Sequence, residues 1–215
     1  MTRVETGDID RNAMAGRMRD QVRSRMKATR RALPLSAIAE RSERIVRTLA
    51  DSGQFLRAKG VALFWPIDGD AEVDLRSLDA PLRERGVRVY YPFMDERVTG
   101  GFVTGFRLTA GPGQLERRGR RFAQPPPTAP VARAGDIDLV VVPALAVTPT
   151  GARLGYGIGF YDATLPDVRP PAIAVAVAFS FQLVMELPAE PHDVDCDAVV
   201  TDEHLFDPRG LLQSA

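Results

Sequence analysis

Apolar residues follow a helical spacing near the N-terminus of the chain and form short continuous runs further on. In residues 12–32 they recur every four positions, which predicts a helix with one apolar face formed by Met14, Met18, Val22 and Met26. Pro34 ends this helix. Residues 36–51 predict a second helix, stopped by Gly53, with three side chains directed inward: Ile38, Ile45 and Leu49.

Beyond residue 60 the apolar runs have the length of strands. Five of them are predicted strands, at residues 61–65, 87–91, 138–142, 172–178 and 198–201. The leucines at positions 75, 78 and 82 predict a helix that ends at Gly86. Because the strands show no alternation of polar and apolar residues, both faces of their sheet should be covered. The predicted fold class is α/β, a single domain with a mostly parallel sheet flanked by helices.

The remaining segments set the expected domain limits. Residues 1–12 are polar and predict a disordered tail, residues 13–207 a single domain, and residues 208–215 a C-terminal tail. Residues 98–108 are consistent with a β-hairpin, and the prolines of residues 124–130 predict an extended connection. A chain of 215 residues is long enough for one domain with a full core and short for two.

Composition and charge exclude some classes of function. The chain is 45% hydrophobic and 26% charged, which is typical of globular proteins, and its formal net charge is zero. That balance argues against a nucleic-acid or membrane-surface role, and no apolar run approaches the ~20 residues of a membrane span. The single cysteine, Cys196, rules out an intramolecular disulfide and fits a reducing compartment. We expect a cytoplasmic monomer or weak dimer that acts on small molecules.

Positive charge is concentrated in the first predicted helix. Seven basic residues lie there: Arg17, Arg19, Arg23, Arg25, Lys27, Arg30 and Arg31. The chain has only two lysines, Lys27 and Lys59, so arginine carries nearly all of its positive charge. Anion binding would therefore rely on planar guanidinium forks.

The segment with the clearest chemistry is RLGYGIGFYD, residues 153–162. Glycines at the alternate positions 155, 157 and 159 leave the backbone open, so that consecutive N–H groups can approach an anion closely. A helix that follows would direct its free N-terminal amides at the same place. Arg153 adds a guanidinium fork for phosphate oxygens, and Asp162 is placed to hold Mg²⁺.

A packing interpretation of the same segment stays open on these residues alone. The spacing matches neither the Walker A pattern nor the dinucleotide-binding fingerprint. The glycines would then form a tight turn between a strand and a helix, with three aromatic residues in the core: Tyr156, Phe160 and Tyr161.

Residues 153–162, after a strand that ends at Pro143, closely resemble the signature of the 5-formyltetrahydrofolate cyclo-ligases. Four further segments resemble that family in the same order, between about residues 17 and 202. They are Arg19 to Arg23 (RDQVR), FWPI at 64–67 followed by Glu72, RFAQP at 121–125, and His192-Asp193 leading to DAVVT at 197–201.

The resemblance implies an enzyme fold similar to the NagB, RpiA and CoA-transferase proteins, and a reaction that uses ATP and Mg²⁺. It implies that 5-formyltetrahydrofolate is cyclised to 5,10-methenyltetrahydrofolate with release of ADP and phosphate. The implied catalytic residues are Arg153, Tyr161 and Asp162. The implied ATP site is Arg19, Arg23, Arg153, Gly155, Gly157, Ile158, Gly159, Phe160 and Tyr161. The implied folate site is Trp65, Glu72 and Tyr156, and the implied metal ligands are Asp162 and Asp193.

The sequence departs from the family pattern at three positions. Arg19 replaces a lysine, Ile158 stands where some members have lysine, and Thr148 stands where many have aspartate. Because of these departures, an alternative function remains open: a non-catalytic regulator that binds folate or nucleotide on the same fold. An isomerase or transferase acting on a phosphorylated substrate is a third possibility, weakened because no histidine or glutamate base adjoins the glycine run. His192 and His204 show no metal-ligand spacing and are interpreted as surface residues.

Overall fold

The computed structural model describes residues 4–118 and 122–213, with side chains from residue 13 onward. Its helices are α1 (Val4–Arg31), α2 (Leu35–Ala50), α3 (Gly53–Arg57), α4 (Asp79–Glu84) and α5 (Phe160–Val168). Its strands are β1 (Gly60–Ala62), β2 (Arg88–Glu96), β3 (Phe102–Leu108), β4 (Leu139–Pro143), β5 (Ala146–Val147), β6 (Arg153–Leu154), β7 (Ile173–Val177), β8 (Ala198–Val200) and β9 (Leu205–Phe206). Short 3₁₀ turns lie at Arg76–Leu78, Pro112–Gln114 and Ser180–Gln182.

Seven strands form one sheet in the order β3-β2-β1-β4-β7-β8-β9. The pairs β2–β1, β1–β4, β4–β7 and β7–β8 are parallel, whereas the two edge strands, β3 and β9, pair antiparallel with their neighbours. The predicted α/β class with a mostly parallel sheet is confirmed. The hairpin expected at residues 98–108 uses β2 as its first strand, because β2 continues to Glu96 and turns directly into β3.

Successive residues of the central strands enter two separate cores, as a sheet covered on both faces requires. Val141 and Val175 pack on the face that α2 covers. Their neighbours Val142 and Ala174 pack on the opposite face, where α5 lies. The inward face of α2 is as predicted, because three of its four buried side chains are Ile38, Ile45 and Leu49.

The predicted apolar face of α1 is wrong in its first half. Met14 is 59% and Met18 50% exposed, whereas Met26 is buried against β5 and β6. A spacing of four residues advances by about 40° per step around a helix, so a stripe with this spacing does not stay on one face. The face that contacts the rest of the protein instead carries Arg19 and Arg30, which are 6% and 2% exposed.

At both ends of the described chain, regular or packed structure reaches further than the sequence predicted. Helix α1 begins at Val4 rather than near residue 12, so the backbone of residues 4–12 is helical where a disordered tail was expected. At the other end, Leu212 is 2% exposed and its carbonyl accepts a hydrogen bond from the N–H of Gly53. The carboxylate of Asp207 accepts from the N–H groups of Leu211 and Leu212. The packed structure therefore continues past residue 207, where the sequence placed its end.

The strand order creates a crevice at one edge of the sheet. From β1 the chain moves to β2 and β3 on one side and then returns to β4 on the other side of β1. In open α/β sheets, ligands bind beyond the carboxyl ends of the strands at such a reversal. Among the helices of the described residues, none combines the length and apolar character needed to cross a membrane.

Candidate active site

A pocket of about 460 Å³ opens at the carboxyl ends of β1, β2 and β4. The sheet and the loops that follow its strands supply one wall, which includes Phe64, Trp65, Glu72, Met94 and Pro143. Residues 155–162 form the facing wall. Helix α1 borders the pocket with Arg19, Arg23 and Lys27, and Glu190 and His192 also line it. Segments far apart in the sequence thus meet at one cavity.

The glycine-rich loop joins β6 to α5. Gly157 and Gly159 have φ values of +92° and +66°, a region that other residues rarely adopt. Gly159 is the N-cap of α5, so the unpaired amides of the first helical turn lie at the loop. A Cβ at Gly157 would lie 3.3 Å from Cζ of Arg23, so the glycine also permits close approach of α1.

Arg153 and Asp162 form an ion pair beside this loop. Nη2 of Arg153 donates to Oδ1 of Asp162 over 2.9 Å, and the backbone N–H of Val194 donates to the same oxygen over 3.1 Å. The Arg153 guanidinium lies 5.5 Å from the ring centre of Tyr161, and its buried Nε has no hydrogen-bond partner among the described residues. Arg153 also lines the pocket, so its guanidinium lies next to any ligand bound there.

Arg19 and Asp193 form a second, bidentate ion pair. The two guanidinium nitrogens donate to the two carboxylate oxygens over 2.8 and 3.1 Å. Arg19 also donates to the carbonyl of Pro188 over 3.0 Å and lies 3.5 Å from Glu190. Burial of Asp193 disfavours its charge, but hydrogen bonds from Arg19 and from the N–H of Glu190 outweigh burial and lower the pKa of Asp193. The carboxylate is thus ionised but already occupied.

Arg23 and Lys27 continue the basic face of α1 along the pocket. Nε of Arg23 donates to the carbonyl of Gly155 over 3.1 Å, which attaches α1 to the glycine loop, and Nη1 donates to Asp20 over 2.7 Å. The ammonium of Lys27 lies 4.8 Å from the ring centre of Tyr156.

Glu72 is the most deeply buried acidic group of the pocket wall, at 5% exposed. Its Oε2 accepts from the N–H of Ile67 over 2.7 Å. Burial raises the pKa of Glu72 above its usual range, and that N–H, the charge of Arg30 and the Tyr156 hydroxyl oppose only part of this rise. Glu72 therefore combines a desolvated carboxyl group with specific partners, an arrangement frequent at functional sites.

The aromatic residues of the pocket both pack against other rings and line the cavity. Phe160 is 7% exposed and its ring meets those of Phe106 and Phe122, so the packing interpretation is correct for this residue. Tyr161 is half-buried, and burial raises its pKa. Trp65 is half-buried and meets Tyr91 edge to face, with the ring centres 6.1 Å apart.

One group of possible metal ligands lies at the pocket rim. Ligand atoms of Glu190, His192 and Asp193 fall within 4.8 Å of one another, and Nε2 of His192 is 3.2 Å from Glu190. His192 is exposed, as the sequence predicted, but it lines the pocket. The second predicted metal carboxylate, Asp162, lies outside this group and pairs with Arg153.

Residues 15–202 match the sequence profile of the 5-formyltetrahydrofolate cyclo-ligase family. The chain belongs to this family. It is 35% identical over 200 residues to the 5-formyltetrahydrofolate cyclo-ligase of Mycolicibacterium smegmatis, covering 93% of this chain and 98% of that one. The Escherichia coli K12 cyclo-ligase is 29% identical over 183 residues, which cover 83% and 97% of the two chains. The NMR structure of 5,10-methenyltetrahydrofolate synthetase from Aquifex aeolicus superimposes with a TM-score of 0.74 at 28% identity, covering 89% and 93%.

Two of the residues that depart from the family pattern, Thr148 and Ile158, differ in whether they line the pocket. Thr148 is buried in the β5–β6 turn, where its hydroxyl accepts from the N–H of Ala152 over 3.2 Å. Ile158 is 61% exposed and lines the pocket. His204 stacks on Phe206, and Cys196 is buried, which raises its pKa to about 11. Of these four residues, only Ile158 lines the pocket of the cyclo-ligase.

The sequence interpretation missed several residues around the site. Arg30 is buried with its Nη2 donating to the Tyr156 hydroxyl, and Lys27, Met94 and Pro143 line the pocket. The signal for the basic residues was present in the sequence, because Arg19, Arg23, Lys27 and Arg30 recur at helical spacing. Arg121, in a segment that resembles the family, lies outside the described residues.

Proposed function

We propose that this cyclo-ligase converts 5-formyltetrahydrofolate and ATP to 5,10-methenyltetrahydrofolate, ADP and phosphate in a reaction that requires Mg²⁺. The observation that carries the proposal is the composition of the pocket. A glycine loop with three arginines lies opposite a buried carboxylate and a tryptophan, so one cavity offers both an anion-binding wall and a donor-binding wall. A reduced folate and a nucleotide need those two walls at reacting distance.

The chemical difficulty lies in the formyl group, whose oxygen is a poor leaving group. Transfer of the γ-phosphoryl group from ATP to this oxygen gives an imidate-like phosphate and ADP. N10 of the same folate then attacks the formyl carbon and gives up its proton to water, and the C–O bond breaks to release phosphate. The protein contributes mainly by positioning the reactants and neutralising charge, as in other phosphoryl transfers.

The proposed ATP half of the site is the loop and the basic face of α1. Arg153, Arg23 and Arg19 would bind phosphate oxygens, and the N–H groups of residues 155–159 would surround them. The place of Arg153 on the pocket wall and the positive φ at Gly157 and Gly159 support this assignment. Ile158, Phe160 and Tyr161 would contact the nucleotide with apolar and aromatic surface.

The proposed folate half is the opposite wall together with Tyr156 of the glycine loop. Glu72 would accept hydrogen bonds from the N–H edge of the pterin, which a carboxylate can do with both oxygens. Trp65 and Tyr156 would supply flat surfaces for the ring system. All three residues line the pocket, which supports their placement in one subsite.

The carboxylates of Asp162 and Asp193 suit Mg²⁺, a hard cation that binds oxygen ligands and usually retains waters and phosphate oxygens in its shell. When bound, Mg²⁺ would supply charge neutralisation at the phosphates. Asp162 and Asp193 would hold it, directly or through water. Arg153 and Arg19, which now occupy these carboxylates, would turn to the phosphates.

The decisive assay mixes purified protein, Mg-ATP and 5-formyltetrahydrofolate and follows the near-ultraviolet absorbance of the methenyl product. We expect product only when both ATP and Mg²⁺ are present, with one ADP formed per product. Reactions with EDTA or without ATP are the controls. Tight folate binding with no product at high protein concentration would instead support the non-catalytic regulator.

Replacing Arg153 tests the ATP half of the proposed site. We expect Arg153→Ala to raise the KM for ATP by about tenfold or more while changing the KM for folate little, because a charge-assisted bond to phosphate is lost. Steady-state kinetics with each substrate varied would measure this. Arg25→Ala, at an exposed position on α1, is the matched control. An unchanged KM for ATP would show that Arg153 has a structural role and does not bind ATP.

A further inference from the structure

Arg30 is a buried cation next to the pocket. It lies on α1 and is only 2% exposed. Its Nη2 donates a hydrogen bond to the hydroxyl of Tyr156, and its guanidinium carbon lies 5.7 Å from the centre of that ring. Nε has no hydrogen-bond partner among the described residues. Burying a guanidinium is unfavourable unless an anion compensates its charge, and the charge of Arg30 acts on Glu72.

The direction of the hydrogen bonds follows from the chemistry of the groups. A guanidinium carries five N–H donors and no acceptor, so the oxygen of Tyr156 must accept from Arg30. The tyrosine's own proton is then available to another partner, and the hydroxyl lies near enough to Glu72 to favour its carboxylate form. The hydrogen bond from Arg30 to Tyr156 thus joins α1 to the glycine loop, and Glu72 lines the same pocket as Tyr156 from the loop after β1.

Several charged and titratable groups face Glu72, and Arg30 is the cation among those that act on it most strongly. Tyr156 of the glycine loop and Tyr161 of α5 both interact with Glu72. Asp70, on the same loop as Glu72, disfavours its ionisation, but Asp70 itself pairs with Arg31 over 2.7 Å. The N–H of Ile67 favours the ionised form. The groups that oppose the effect of burial on the pKa of Glu72 are therefore the N–H of Ile67, Arg30 and Tyr156.

We propose that Arg30 is a positioning residue for the folate substrate, which fixes Tyr156 at the pocket wall through their hydrogen bond and supplies a buried positive charge for the carboxylate of Glu72. This inference rests on the proposed function, in which Glu72 accepts hydrogen bonds from the pterin. A protonated Glu72 would present an O–H donor to a donor edge of the ligand.

The first experiment measures folate binding through Trp65, the single tryptophan of the chain, which lines the pocket. Fluorescence titrations with 5-formyltetrahydrofolate over roughly pH 5–8 would compare the wild type with Arg30→Met, which retains much of the buried volume. We expect about tenfold weaker binding near neutral pH. We also expect the loss of binding at acid pH to begin about one pH unit higher. The KM for ATP should stay within about twofold of the wild type.

Two further variants separate positioning from general structural damage. Arg30→Lys keeps the charge but not the fork, and it should restore much of the wild-type pH profile. Arg25→Met makes the same chemical change at an exposed position of α1 and should behave as the wild type. Folate affinity and a pH profile like those of the wild type in a folded Arg30→Met protein would overturn the inference.

The second experiment needs no ligand and no turnover. Carboxyl ¹³C NMR of glutamate-labelled protein would follow the titration of Glu72, identified by the signal missing from Glu72→Gln. We expect Glu72 to titrate at higher pH in Arg30→Met and in Tyr156→Phe than in the wild type. If Arg30→Met fails to fold, Tyr156→Phe carries this measurement.

The two experiments distinguish the inference from the proposed function. An unchanged Glu72 titration in the folded variants overturns the role of Arg30, whatever the protein binds. A shifted titration in a protein whose wild type neither binds nor converts 5-formyltetrahydrofolate supports the action of Arg30 on Glu72 and overturns the proposed function.

Discussion

The carboxylate of Asp162 is held from two sides. The guanidinium of Arg153 and the backbone N–H of Val194 both donate to its Oδ1. Asp162 therefore lies in a fixed orientation at the first turn of α5, beside the glycine loop that lines the pocket. A carboxylate held in this way can serve a metal ion or an arginine without a large rearrangement of the backbone.

Asp162→Asn tests the proposed role of this carboxylate in turnover. The amide keeps the shape and one acceptor oxygen but loses the charge, so we expect a folded protein whose kcat falls about 10²–10³-fold. The measurement is kcat as Mg²⁺ is varied, with circular dichroism to establish folding. Asp167→Asn, on the exposed side of the same helix, is the control and should turn over normally. Wild-type rates in Asp162→Asn would remove Asp162 from the metal site.

At the level of single residues, the sequence identified functional candidates that lie close together in one short segment. The glycine run, Arg153 and Asp162 stand within ten residues and could be recognised together. The pairing of Arg19 with Asp193 spans 174 positions, and no local rule predicts which carboxylate a given arginine will meet. Arg30 was one of seven similar cations until the structure showed it to be buried.

Helix α1 shows why the existence of an element is easier to predict than its orientation. A proline-free, periodic segment correctly indicated a helix. The methionines at spacings of four progress around the helix, however, so the first and last of them lie about 120° apart. The side that docks is mainly cationic because it meets Asp193, the Gly155 carbonyl and the Tyr156 hydroxyl. An apolar stripe cannot reveal a docking surface made of oxygen atoms.

The hairpin of β5 and β6 was not predicted, because each strand has only two residues. Its turn fixes where Arg153 enters the site. Gly151 lies in this turn with φ at +97°, and a Cβ there would lie 2.1 Å from the carbonyl oxygen of Cys196. Real side chains do not approach so closely, so the backbone must contain glycine at this position.

Gly151→Ala should therefore destabilise the protein by about 3 kcal/mol, through both the backbone conformation and the clash with Cys196. For a chain of this size we expect a fall in Tm of about 5–10 °C, measured by thermal unfolding. Gly135→Ala is a matched control, because Gly135 also has a positive φ, +86°, but no neighbouring atom within 4 Å of the added Cβ. It should lose only about 1 kcal/mol. Equal losses in the two variants would contradict the proposed clash.

The molecule as a whole brings the two halves of the site together through its strand order. Residues 60–96 build one side of the crevice and residues 139–162 the other, and α1 is placed across them by contacts with Gly155, Tyr156 and Asp193. The individual runs of strand residues were visible in the sequence. Their order in the sheet was not, because it depends on where the irregular connection between β3 and β4 leads the chain.

This assembly places the proposed phosphate ligands and metal ligands in contact with each other. Arg153 pairs with Asp162, and Arg19 pairs with Asp193. Nucleotide without metal would have to separate these ion pairs and leave two carboxylates beside its phosphates. Mg²⁺ with nucleotide would give each separated group a partner of opposite charge. The two ligands should therefore favour each other's binding at this site.

A specific consequence is that Asp162→Asn should bind metal-free ATP more tightly than the wild type, even though its kcat is lower. The substitution releases Arg153 from its ion pair and removes a negative charge beside the phosphates, so we expect a gain of about three- to tenfold in affinity. Isothermal titration calorimetry with ATP in EDTA would measure it, and the benefit of adding Mg²⁺ should shrink in the same variant. Asp167→Asn controls for the change in overall charge and should bind ATP as the wild type does. Weaker or unchanged binding of metal-free ATP by Asp162→Asn would show that Arg153 is not restrained by this pair.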